Sequence, residues 1–122
     1  MSTYSNLSIE LIGTGEQSGT WGTTTNTNLG TAMEEAIVGT TNVAVSTGDT
    51  AINLITTSNA TQPIRHLRLN LTGSAGGVGN LVITNAAAGG ANTFQKNYII
   101  NNASNTAITV KQASGTGVLV PA

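Results

Sequence analysis

The chain has 122 residues, the length of one domain, and carries four Lys and Arg against five Asp and Glu, a net charge of −1. Thr, Gly, Asn and Ser account for 59 of those residues, so polarity comes from hydroxyls and amides, and no basic face exists for nucleic acid or anionic lipid. Without cysteine there is neither a disulfide nor a thiolate metal site, and one Trp, one Phe and two Tyr make a thin core for a chain of this size. Oligomerisation is the remaining common reinforcement. The opening residues lack the positive and apolar regions of an export signal, and the uncharged stretch 69–95 is too rich in Gly, Asn, Ser and Thr for membrane insertion.

In chain order, Leu7, Ile9 and Leu11 alternate with Ser8 and Glu10 and predict a strand with one buried face. Gly13, Gly15, Gly19 and Gly22 then make regular structure costly and predict a shaped loop around Trp21. Leu29, Ala32, Met33, Ala36 and Ile37 fall on one helical stripe, which predicts a helix over 27–38, capped by Asn26 or Asn28 and stopped by Gly39 as a C′ glycine. Beyond Gly39 the hydrophobic period is two. Seven short runs, NVAVST, AINLIT, IRHLRLNLT, NLVITN, KNYIIN, AITVK and GVLV, read as strands separated by turn residues. No repeat of fixed period is evident. The expected fold is therefore mainly β, an antiparallel sandwich or barrel-like sheet preceded by an N-terminal strand, a Gly-rich Trp loop and one short helix. Residues 1–39 form an assembly region and 40–122 the β-rich domain. Leu67, Leu69 and Leu71 should share the buried face of their strand, with His66, Arg68 and Asn70 on a wet face. The segment 85–93 has no period and is expected to be a mobile loop.

Chemistry-bearing constellations are sparse. His66 is the sole histidine and Asp49 the sole aspartate, and no G-x-S-x-G elbow supplies a nucleophile, so no catalytic triad is expected. Glu34 and Glu35 are adjacent, point about 100° apart on a helix, and read as a solvated face rather than an acid and base pair. Metal sites need three or more clustered ligands, and Gly13, Gly15 and Gly19 have the wrong spacing for a phosphate loop, with no Lys-Ser/Thr after them. No catalytic, cofactor-binding or metal-binding residue is therefore expected. Four N-x-S/T sequons, at Asn6, Asn59, Asn70 and Asn102, match the number that composition alone produces. Trp21 is expected to be the large core anchor, with subunit contact or ligand stacking as its other possible roles.

The segment from Ile9 to Ile37 resembles a motif near the start of tailed-bacteriophage virion proteins, especially the tail-fibre-like proteins of marine phages. It is carried by Gly15, Glu16, Gly19, Thr20, Trp21, Gly22, Asn26, Asn28 and Leu29. The resemblance implies a non-enzymatic structural protein in the virion, assembled in the host cytoplasm as a homo-oligomer, most simply a trimer. It implies contacts to other virion proteins and to host surface glycan. The assembly contacts would come from Trp21, Gly19, Gly22, Asn26, Asn28, Leu29 and Met33. A capsid decoration protein and a cell-surface or biofilm filament subunit are the alternatives.

Overall fold

The computed structural model describes residues 2–55, 57–77, 79–84, 96–112 and 116–122. Two short strands, β1 (Thr3–Tyr4) and β2 (Glu10–Leu11), pair antiparallel. A turn-rich loop leads into one uninterrupted helical segment: α1 (Trp21–Thr27), a π-helical stretch (Asn28–Met33) and α2 (Glu34–Val38). Seven strands follow: β3 (Thr40–Val45), β4 (Gly48–Asn53), β5 (Arg68–Gly73), β6 (Gly79–Thr84), β7 (Ile99–Asn102), β8 (Ile108–Lys111) and β9 (Val118–Val120). A 3₁₀ turn (Pro63–Arg65) precedes β5.

The seven expected strands are all present, but they do not pair as expected. One sheet runs β3-β5-β7 and the other β4-β6-β8-β9, and every pair is parallel except β8 with β9. Consecutive strands thus never lie side by side until the last two, which corrects the antiparallel sandwich or barrel. Each short corner passes the chain from one sheet to the other, so β3-β4, β5-β6 and β7-β8 form three stacked rungs of a β-helical coil. A repeat is present after all. Arg68 pairs with Thr40, 28 positions earlier, and Ile99 with Arg68, 31 positions on. Gly79 pairs with Gly48 at a separation of 31 and Ile108 with Gly79 at 29. Unequal separations hide the period, because what recurs is the inward and outward alternation rather than residue identity.

Between the sheets lies the core: Val43, Val45, Ile52, Leu54, Ile64, Leu69, Leu71, Ala75, Leu81 and Ile108. Leu69 and Leu71 are inward as the alternation requires, and Leu7 of the arm packs against the same cluster. Stacking is in register, so Val43 sits on Leu71 and Leu69 on Ile100. Corners are tied between rungs as well: Gly76 N–H donates to Thr47 Oγ1 at 2.8 Å and Ala75 N–H to Asn105 Oδ1 at 3.0 Å. At Gly79 a Cβ would lie 2.9 Å from Ile108 Cδ1 and 3.0 Å from Ser46 O, so glycine here lets the second rung sit close to both its neighbours.

Three further expectations change. The segment from Leu7 to Ile12 is strand only at Glu10–Leu11; Ser8 is fully buried with φ of 63°, and Leu11 is half exposed. The helix begins at Trp21 rather than Thr27, and neither Asn26 nor Asn28 caps it, since Thr20 holds the N-cap position and Asn28 lies inside. Gly39 ends the helix in extended backbone, φ −70° and ψ 141°, not as a left-handed cap. Its requirement is closeness: a Cβ there would lie 2.6 Å from Glu35 O and 2.8 Å from His66 Cδ2. The expected loop at 85–93 lies outside the described residues.

Candidate functional site

The helical segment docks on the coil through polar groups. Asn28 imitates a neighbouring strand, accepting from Glu10 N–H at 3.0 Å and donating to Glu10 O at 2.8 Å, and it also accepts from Asn59 Nδ2 at 3.0 Å. Seven residues on, Glu35 is 7% exposed and receives Arg65 Nε at 3.2 Å and Gln62 N–H at 3.3 Å on the same oxygen. The expectation of a solvated Glu34 and Glu35 pair is corrected here: Glu34 is exposed, Glu35 buried and ion-paired. Arg65 is 0% exposed. Its Nη1 donates to Leu7 O and Ser8 O at 3.1 and 3.2 Å, and its Nη2 donates to Ala60 O. One guanidinium therefore ties the N-terminal arm, the helix and the 55–62 connection together, a task suited to a planar five-donor group.

Gln62 and Ser8 complete this network. Gln62 accepts from Ile55 N–H at 2.7 Å and donates to Ser58 O at 2.9 Å, and Ser8 Oγ donates to Ile55 O at 2.6 Å. His66, expected on a wet strand face, lies in the bend before β5 with its side chain 12% exposed. Its Nδ1 is 2.8 Å from Gln62 O and its Nε2 4.0 Å from Glu35 Oε1. Sequence reasoning missed Arg65 and Glu35 because a charged residue reads as surface unless its partner, here 30 positions away, is known.

The loop before the helix is built by turns. Gly15 and Gly19 adopt φ of 80° and 83°, where any other side chain is strained. Gln17 Nε2 bridges Ser2 Oγ at 3.0 Å and Glu10 Oε1 at 2.7 Å, and Gln17 accepts from Thr24 Oγ1, which fixes the loop to the first helical turn. This arrangement sets Trp21 at the start of the helix with 60% of its surface exposed, correcting its expected place as a core anchor.

With its polar face turned inward, the helix presents its apolar residues outward. Ala32 is fully buried, but Leu29 is 56% and Ile37 62% exposed, and Met33 and Val38 are exposed too. Trp21, Leu29, Met33 and Ile37 stand at multiples of four residues. In an α-helix a four-residue step advances the direction by 40°, so such a row would wind around the axis. The π-helical stretch, with i→i+5 hydrogen bonds and more than four residues per turn, turns the row back. Of the expected assembly residues, the structure thus puts Trp21, Leu29 and Met33 on one exposed stripe. Gly19 and Asn26 are exposed beside its start, Gly22 is half-buried, and Asn28 belongs to the inward face.

No group of three metal-ligating side chains occurs among the described residues. An open cleft of about 370 Å³ beside α2 is lined by Gly30, Thr31, Glu34, Val38 and Thr61, with Glu35 already committed to Arg65. Among the described residues, no helix is long and apolar enough to cross a membrane. Lys96 lies 4.1 Å above the Tyr98 ring and donates to His66 O at 3.1 Å, and burial holds its amine below the ordinary lysine range. Comparison with protein-family models, with curated proteins and with solved structures finds no match.

Two expectations arise from these contacts. Asn28→Ala removes both bonds to Glu10 and the bond from Asn59, and should lower unfolding free energy by about 1–3 kcal/mol in a urea titration. Tyr98 donates its hydroxyl to Ile64 O, and burial pushes the phenol well above its ordinary value. Because the folded-state pKa is the higher one, its stabilising contribution is whole below the unfolded-state pKa of about 10 and declines as pH rises above it. Alkaline unfolding should therefore be shallower for Tyr98→Phe than for the native chain above pH ~10, read by circular dichroism.

Proposed function

We propose that this chain is a non-enzymatic structural subunit of a tailed-bacteriophage virion, an appendage component of tail-fibre type that works by homo-oligomeric assembly. The observation that carries the reading is the inverted helix: its polar face holds the fold together while Trp21, Leu29, Met33 and Ile37 face outward. Apolar side chains gathered on one exposed stripe and rimmed by hydroxyls and amides form the composition of an interface core with its rim. The phage assignment rests on the resemblance over Gly15 to Leu29. The loop and helix geometry gives that motif a purpose, since its glycines shape the turns, Asn28 docks the helix, and Trp21 and Leu29 remain available to a partner.

Copies bringing their stripes together about a common axis would bury this surface, and the threefold symmetry proposed for them rests on the resemblance alone. Assembly of this kind needs no titratable site. Host contact would fall to polar turns such as 74–77, whose small side chains make individually weak hydrogen bonds that display in many copies strengthens. Electron microscopy of intact particles with a labelled chain tests the reading. Label on the tail supports it, label on the head favours the decoration protein, and label on a cellular filament overturns it.

A further inference from the structure

The outward face of the first sheet carries a positive charge that no group of the chain answers. Because Leu69 and Leu71 point inward, Arg68 and Asn70 of β5 point outward, into rows set by the in-register pairing. One row is Thr40, Arg68 and Ile99, and the next is Asn42, Asn70 and Asn101. Among the described residues the Arg68 guanidinium makes no hydrogen bond or ion pair, whereas Arg65 is engaged by Glu35 and Lys96 by the carbonyls of His66 and Asn97. None of the three strands, TTNVAV, RLNLTG and IINN, contains an acid, and Asp49 and Lys111 lie on the other sheet.

The amide row beside Arg68 is ordered. Asn70 Nδ2 donates to Asn42 Oδ1 at 2.9 Å and Asn101 Nδ2 donates to Asn70 Oδ1, so each side chain is held by its neighbour before any ligand arrives. A primary amide has two hydrogens and two lone pairs, and these bonds use at most one of each, which leaves donors and acceptors turned to solvent on all three. Members of the row stand one strand apart, about 4.8 Å, and the Arg68 row lies two residues along the strand, roughly 7 Å away. Ile99, 54% exposed, adjoins Arg68 across the strand pair.

We infer that this face binds an acidic polysaccharide, with a uronate carboxylate on the Arg68 guanidinium, ring hydroxyls on the amides of Asn42, Asn70 and Asn101, and ring C–H groups against Ile99. A planar guanidinium receives a carboxylate through two parallel hydrogen bonds, which a neutral sugar does not offer. Amides present donor and acceptor side by side, and a hydroxyl is both. A neutral glycan leaves Arg68 unanswered, and a small carboxylate leaves the amide row unused. A chain that repeats both groups meets the whole face. The three strands carry no aromatic ring for a sugar to stack on, so a single site is weak, and display in many copies strengthens it. The inference deepens the attachment role proposed above and rests on that reading only for the source of the glycan.

Titration of the nitrogen-15-labelled chain with an alginate oligosaccharide, read by nuclear magnetic resonance, tests the site, with dextran as the neutral control. The side-chain amide signals of Asn42, Asn70 and Asn101 and the Arg68 Nε–H signal should shift together with alginate and stay in place with dextran. Arg68→Gln should weaken alginate binding at least about tenfold with an unchanged circular dichroism spectrum. Arg68→Lys keeps the charge without the fork and should fall between the two. Asn42→Asp gives a second reading that leaves Arg68 in place: the carboxylate still accepts from Asn70, but its charge repels a uronate, so binding should weaken most at low salt. The inference is overturned if alginate moves no signal on this face, if the shifts gather at the turn 74–77 instead, if dextran binds as alginate does, or if Arg68→Gln binds like the native chain. Microscopy that places the chain away from the virion would leave these titrations unchanged, so the two readings fail separately.

Discussion

Replacing Arg65 with Ala is expected to lower the unfolding free energy by about 3–5 kcal/mol, the usual result of leaving one member of a buried ion pair alone. Against total stabilities of about 5–15 kcal/mol, that leaves a small domain near unfolding. The reason is specific to the position. Glu35, buried in the native chain, would lose the guanidinium and keep only Gln62 N–H and the His66 ring 4.0 Å away, and the carbonyls of Leu7, Ser8 and Ala60 would lose their donors together. Arg65→Lys keeps the charge but cannot span three directions with a single ammonium, so its loss should fall between native and Ala. Urea denaturation of the two variants checks the order. A loss under 1 kcal/mol for Arg65→Ala would mean that the arm and the helix are held by apolar contact, not by the guanidinium.

The second large effect concerns assembly rather than folding. Ile37→Lys or Leu29→Glu on the helix stripe should convert the proposed oligomer to monomer at micromolar concentration while leaving the thermal midpoint of the monomer unchanged, because both side chains are more than half exposed within one chain. Trp21→Ala should act the same way. Within one chain Trp21 is 60% exposed, so most of the cost appears as lost association. Tryptophan emission gives an independent reading: blue-shifted in the native oligomer and red-shifted in the Ile37→Lys monomer. Sedimentation of the native protein as a stable monomer would remove the assembly reading altogether.

Local pattern carried much of this fold. The switch from helical to two-residue period at Gly39, the seven strands, and the inward side of Leu69 and Leu71 follow from where apolar residues recur along the chain, and burial enforces them. Pairing direction does not follow from alternation. A strand with one buried face looks the same whether its neighbour runs parallel or antiparallel, and short turns favour the hairpin reading unless the chain changes sheets at each corner, as it does at Ser46, Ala75 and Ser104. The rung separations of 28, 31, 31 and 29 positions then have no sequence signature beyond Asn42, Asn70 and Asn101, which read as ordinary polar residues until they stack.

The helix shows the same division. Leu29, Met33 and Ile37 of its expected stripe share an exposed side, because spacing on a helix depends only on the chain itself, but Ala32 of the same stripe is buried and Trp21, expected in a loop, begins the helix. Which way that stripe faces was decided by tertiary contacts. The arm offers the helix the backbone of Glu10, and the connection before β5 offers the guanidinium of Arg65 and the N–H of Gln62; Asn28 and Glu35 answer them, so the polar side turns inward. Amphipathicity specifies that a helix has two faces. Only the groups waiting on the body of the protein, brought together from positions 10, 62 and 65, select the one that is buried.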